Sequence, residues 1–190
     1  PVIGGVLVGA FGWRSPFFFC VGYAGAIVLL VLLVLEETLA PRNRQAARVG
    51  AILANMRTVS RHPAFVVNTL GNCALYGAMW AWLSSAIFLL IEMVGQPVEQ
   101  ASVFFSIAEA GFMVGAALAG RLSSRIATPA MVIGGGCLCL GAAGLMWALA
   151  AGGVVHGAAL VAPGLIWMFG YGFFYPHTMA GAVAPFPTMA

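Results

Sequence analysis

Polar positions are sparse along this 190-residue chain, so the apolar runs between them mark its elements. Phe17 to Leu35 is an unbroken apolar run, closed by Glu36, Glu37 and Thr38. A membrane-crossing helix needs about 20 largely apolar residues, and further runs of comparable character recur down the chain. The pattern predicts helices near 1–11, 17–35, 64–92, 101–120, 129–151 and 154–175, an all-α polytopic transmembrane bundle. Turns fall at Gly12-Trp13-Arg14-Ser15-Pro16, Gly95-Gln96-Pro97 and Gly152-Gly153, where Gly and Pro interrupt the runs. Pro176 and the Pro185-Phe186-Pro187 cluster are expected to break the last section, with a further helix starting near Ala180. Leu39 to Pro63 is the long polar section. Within it Ile52, Leu53, Met56 and Val59 recur at helical spacing, predicting an amphipathic segment over Val49 to Val59 that lies on the membrane surface.

Composition sharpens this reading. Charged residues make up 7% of the chain, against roughly 25% in soluble domains, and hydrophobic residues make up 62%, so a soluble core could not enclose them. The eight cationic residues are all arginine and the five acids all glutamate. Seven arginines fall in two stretches: Arg42, Arg44, Arg48, Arg57 and Arg61, then Arg121 and Arg125. Cytoplasmic loops collect Lys and Arg, and alternation of the spans puts both stretches on one side, leaving Arg14 opposite. Leu39 to Pro63 is therefore expected in the cytoplasm. Arginines confined to loops carry orientation information rather than a nucleic-acid surface. The first residue is Pro1 and the last lie in an apolar stretch, which is read as an internal piece of a longer protein.

Three positions or stripes could carry chemistry. Glu109 lies midway along an apolar span, where an ionised carboxylate costs roughly 2.5 to 3.5 kcal/mol, and desolvation favours the protonated form that a proton carrier needs. It shares a helical stripe with Ser102, Ser106, Met113 and Ala116. Either it binds a proton or cationic substrate, or it is a neutral carboxyl facing another helix. Asn68, Asn72 and Tyr76 recur every four residues, and such a stripe lines a wet cavity or bonds a neighbouring helix. Trp167, Tyr171 and Tyr175 form a comparable aromatic stripe, suited to flat, lipophilic or cationic compounds or to packing. Trp80 and Trp82 read as interface anchors or packing, His177 as a boundary residue, His62 as a loop residue and His156 as lying at an outer helix end. Cys137 and Cys139 point about 200° apart on a helix, and all four cysteines read as small buried contact residues, so neither a metal site nor a disulfide is expected. An enzyme would need a catalytic constellation, and there is no Asp, no HExxH and no phosphate loop.

Several stretches resemble a known family. Pro1-Val-Ile-Gly-Gly5, Phe11-Gly-Trp-Arg14 and Glu36-Glu-Thr-Leu-Ala-Pro41 resemble helices five and six of major facilitator superfamily transporters, and more narrowly the bicyclomycin-resistance (Bcr/CflA) family of drug:proton antiporters. Ser84-Ser-Ala-Ile-Phe88, Gly111-Phe-Met-Val-Gly115 and Gly170-Tyr-Gly-Phe-Phe-Tyr-Pro176 are similar to later segments of that family. The resemblance implies helix five to the start of helix eleven. Residues 1–38 would then end the N-terminal half, 39–63 form the central cytoplasmic loop, and 64–190 begin the C-terminal half. It also implies that Pro1, Gly4 and Gly5 belong to the helix-five antiporter motif. Gly120, Leu122 and Arg125 would belong to the second copy of the loop motif, where Ser124 replaces the expected acid. The family's polar amide on helix eight is matched here by Ala108, which leaves Glu109 outside its pattern.

The resulting expectation is a cofactor-free, monomeric secondary transporter in a bacterial cytoplasmic membrane. It would export small lipophilic compounds in exchange for protons through a cavity lined by Asn68, Asn72, Tyr76, Trp167 and Tyr171. The alternative is an importer of the same fold that moves a small metabolite.

Overall fold

The computed structural model describes residues 2–35, 49–154 and 156–186. Among these residues lie seven α-helices and no strand. They are α1 (Val2–Phe11), α2 (Ser15–Val34), α3 (Val49–Ser60), α4 (Pro63–Phe88), α5 (Val98–Leu122), α6 (Thr128–Ala151) and α7 (Gly157–Val183). A π-turn at Leu89–Met93 prolongs α4. Five helices (α2 and α4 to α7) are long and apolar enough to cross a membrane. Pro1, Pro187 and the section holding Arg42, Arg44 and Arg48 lie outside the described residues.

Local chemistry accounts for the boundaries. Proline stands in the first turn of α2, α4 and α6, where a missing N–H costs no helical hydrogen bond. Gly12 (φ +83°) and Gly95 (φ +72°) reverse the chain after α1 and α4 in a backbone region that favours glycine. His156 caps α7, its Nδ1 accepting from the Ala159 N–H at 3.2 Å. Residues of α2 are apolar on every side and none is buried, the pattern of a helix whose surroundings are apolar all round.

The packed centre is α7, held against α5, α6 and α4. Its contacts depend on small residues that let backbones meet. A Cβ on Gly111 would lie 2.5 Å from the Leu165 carbonyl oxygen, and one on Gly172 2.6 Å from the Ala116 nitrogen. On the other side of α7, a Cβ on Gly135 would lie 2.6 Å from the Gly170 carbonyl oxygen. Cys139, Ala142, Trp167, Met168 and Tyr171 fill the space between these crossings. A second cluster at the far end of α4 joins Ala86, Leu90, Ala101 and Phe105.

Two expectations need correction. The last helix does not end at Pro176, and no new helix starts near Ala180: α7 runs from Gly157 to Val183 with Pro163 and Pro176 inside it. The carbonyl left without its N–H partner by Pro176 is Gly172 O, four residues back, a loss that packed transmembrane helices tolerate. Thr178 Oγ1 donates to Phe174 O and Tyr175 O, both at 3.0 Å, and a His177 ring nitrogen lies 2.8 Å from Phe173 O. Nor are all the cysteines buried contact residues. Only Cys139 is buried, its thiol donating to Trp167 O at 3.4 Å, whereas Cys20, Cys73 and Cys137 are exposed. All four are free.

Candidate functional site

The amide and tyrosine stripes of α4 and α7 face one another. Along α4, Asn68 donates from Nδ2 to Ala64 O at 2.7 Å, which holds its side chain against its own helix. One turn further, Asn72 Oδ1 accepts the Tyr171 hydroxyl at 3.3 Å. Tyr76 follows and meets Trp80 edge to face, ring centroids 6.1 Å apart. Between the helices opens a concavity of about 300 Å³ whose wall includes Asn68, Asn72, Tyr76, Tyr171, Tyr175 and Thr178. At one end the helices close: a Cβ on Gly181 would sit 3.2 Å from Asn68 Nδ2.

Aromatic rings back this wall. Tyr171 stacks on Trp167 at 5.2 Å, tilts against Tyr175 at 5.5 Å and meets Phe112 of α5 at 5.8 Å. Trp167 itself is buried in the core cluster and is absent from the wall of the concavity. It supports Tyr171 from behind. The residues that sequence reasoning left out are Thr69, Cys73, Thr178, Met179 and Ala182. Tyr171, Tyr175, Thr178 and Ala182 follow one another at steps of four, three and four, a helical stripe that stayed hidden while Pro176 was read as a helix end.

Glu109 belongs to a different concavity. It is half-buried on α5 and lines a cleft of about 290 Å³ with Leu83 and Ile87 of α4, Ile91 of the π-turn, and Val98, Ser102 and Phe105 of its own helix. The serines of its stripe are satisfied locally. Ser102 Oγ donates to Val98 O and Ser106 Oγ to Ser102 O, each at 2.8 Å. This cleft borders α1, because a Cβ on Gly5 would lie 2.5 Å from Ser102 Oγ. Gly5 is buried at that crossing, whereas Gly4 has open space beside it. Glu109 is thus near the α1–α5 seam and apart from the wall formed by Asn72 and Tyr171.

The loop after α5 is drawn tight around Leu122, whose carbonyl accepts the Arg125 N–H at 2.8 Å and the Ile126 N–H at 2.9 Å. Gly120 and Arg125 are exposed there. Trp80 is half-exposed, and Trp82 is packed against Phe105 and Gly164.

Comparison with known proteins agrees with this architecture. A family model described as Major Facilitator Superfamily matches residues 1–189. The chain is 27% identical over 193 residues to Multidrug resistance protein D of Escherichia coli, a match covering 100% of this chain and 47% of that protein. It is 28% identical over 148 residues to the uncharacterized MFS-type transporter YfiS of Bacillus subtilis, covering 75% of this chain and 35% of the relative. A Bicyclomycin resistance protein homolog of Haemophilus influenzae is 23% identical over 133 residues, covering 70% and 33%. The chain spans less than half the length of these relatives. No solved structure matches. The chain belongs to the Major Facilitator Superfamily, a family of transporters rather than enzymes, and is a multi-pass protein of the bacterial cytoplasmic membrane.

Proposed function

We propose that this superfamily member is part of a secondary transporter that exports small, largely apolar compounds in exchange for protons. The observation that carries the reading is the concavity between α4 and α7. Amide, hydroxyl and aromatic groups line it, with no charged residue in its wall. A few fixed polar groups in a mostly apolar wall orient a lipophilic guest without demanding a counter-charge from it. A transporter for an ionic metabolite would more often present a matching fixed charge. The relatives named for multidrug and bicyclomycin resistance support the same direction of transport.

In this reading Asn72, Tyr76 and Tyr171 contact the transported compound, with Asn68 at the narrow end. Trp167 acts by holding the Tyr171 ring. Glu109 carries the exchanged proton from its cleft beside α1, and Gly5 keeps the α1–α5 crossing close enough for the two sides to move against one another. Leu39 to Pro63 faces the cytoplasm. The carboxyl of Glu109 must be tolerated in both access states, which requires it to face the interior of the bundle rather than lipid.

The test is transport by the full-length protein in energised vesicles. Efflux of a lipophilic dye should stop when the proton gradient is collapsed, and Tyr171→Ala should weaken dye binding. Dye efflux that persists without a gradient would exclude proton exchange. Uptake of a small hydrophilic metabolite down the proton gradient would favour the importer.

A further inference from the structure

We propose that α3 and the first turn of α4 form a docking surface for an anionic phospholipid. The apolar arc of α3 is built by Ile52, Met56 and Val59 with Leu53 at its edge, yet Ile52, Leu53 and Met56 are 46%, 60% and 62% exposed. Beside this arc runs a groove of about 380 Å³ lined by Ile52, Asn55, Met56, Val59, Ser60 and Phe65. Its lining is apolar apart from the Asn55 amide and the Ser60 hydroxyl. That combination suits an acyl chain lying below a polar headgroup.

The connection fixes where the groove sits. Only Arg61 and His62 separate α3 from α4, and their N–H groups turn back onto Thr58 O at 3.3 Å and Val59 O at 3.0 Å. The groove is therefore held at the point where the span beginning at Pro63 enters the membrane. An amphipathic helix placed there rests its apolar side in the headgroup boundary.

Charge selects the lipid. Arg57 follows Leu53 by one helical turn at the edge of the arc, Arg61 follows at the end of α3, and both are exposed. Between Thr38 and Ile91 the chain holds five arginines and no acidic residue, so nothing in that stretch competes with a phosphate for them. Guanidinium groups bind phosphate oxygens bidentately, and basic clusters at the cytoplasmic end of a span are drawn to anionic leaflets. A zwitterionic lipid would fill the groove while leaving the arginines without a net negative partner.

The experiment uses the full-length protein with a unique cysteine at Leu53 carrying a bimane label, in phosphatidylcholine vesicles. Spin-labelled phosphatidylglycerol should quench the label more strongly than spin-labelled phosphatidylcholine at equal mole fraction. Arg57→Gln and Arg61→Gln should each weaken that preference by about fivefold. Arg57→Lys with Arg61→Lys should keep most of it, separating charge from altered folding. Equal quenching by the two lipids, or an unchanged preference in the double glutamine variant, would overturn the proposal. So would a label that neither lipid reaches, the result expected if a protein partner covers α3.

Discussion

The hydroxyl of Tyr171 donates to Asn72 Oδ1 across 3.3 Å, and among the described residues it is the side-chain-to-side-chain hydrogen bond that ties α7 to α4. It also sits in the wall of the concavity between those helices. Any change in the separation of α4 and α7 must stretch or break it. A compound that bonds either group would compete with it directly.

Removing the bond should therefore affect both stability and binding. Interhelical hydrogen bonds in membranes contribute about 0.6 kcal/mol on average and under 2 kcal/mol at most. Tyr171→Phe and Asn72→Ala should each lower the melting temperature of the purified full-length protein slightly. Combined in a double-mutant cycle they should show a coupling near 0.6 kcal/mol. Strict additivity would mean that the two groups act independently.

The crossing of α6 and α7 yields a sharper contrast. A Cβ on Gly135 would meet Gly170 O at 2.6 Å and Phe174 N at 2.9 Å, whereas nothing lies within 4 Å of the same position on Gly134. Gly135→Ala should cost about 1–3 kcal/mol as overpacking against backbone that has no rotamer to change. Gly134→Ala should be neutral or mildly stabilising, because alanine is the better helix former. Thermal denaturation of the two variants in detergent would decide it, and equal stabilities would mean that the helices separate at no cost.

These contrasts mark what the sequence disclosed. The five long spans follow from lipid itself, which forces every backbone group to bond within its own helix, and runs such as Phe17 to Leu35 then declare themselves. The stripe Asn68, Asn72, Tyr76 was visible because four-residue recurrence is local. The role of Gly135 was not, since Gly134, Gly135 and Gly136 are alike in sequence and only the partner helix distinguishes them. Pro176 misled for a related reason: whether a proline ends a helix depends on how the turns on either side are packed, and Gly172, Thr178 and Ala182 are all buried around it. The separation of Glu109 from Tyr171 required the pairing of α5 with α4 and α7, information that no single helix contains.

Orientation is open to direct measurement. In intact cells, a membrane-impermeant thiol reagent should modify a cysteine placed at Gln96 and spare one placed at Gln45. The reverse labelling would place the arginine-bearing loops outside and would also remove the cytoplasmic leaflet from the environment of α3.

At the α1–α5 seam, a Cβ on Gly5 would lie 2.5 Å from Ser102 Oγ and 2.9 Å from Ser102 Cβ. Gly5→Ala should slow transport by wedging the two helices apart, and Ser102→Gly in the same protein should restore it by vacating that space. Gly4→Ala, facing open space, should transport normally. Failure of the Ser102→Gly rescue would mean that Gly5 matters for backbone freedom rather than for close approach.

Glu109 gives the last test. The carboxyl is half-buried in a cleft whose other walls are the apolar side chains of Leu83, Ile87, Ile91 and Phe105, with Ser102 as its polar neighbour in the wall. That wall is distinct from the one formed by Asn72 and Tyr171, so a proton taken up by Glu109 must act on the guest through movement of α5 rather than by contact. Glu109→Gln keeps the size and the capacity for hydrogen bonding while removing titration. Dye affinity and melting temperature should therefore stay near wild type. Proton-driven accumulation should fall by about fivefold or more, the lower end of a coupling of 1–3 kcal/mol between linked sites. Glu109→Asp, which still titrates, should retain part of the drive. Wild-type accumulation in the Glu109→Gln protein at equal expression would leave the residue a packing role and move the proton site elsewhere. A parallel loss of dye affinity would instead mean that the two concavities communicate in the resting state.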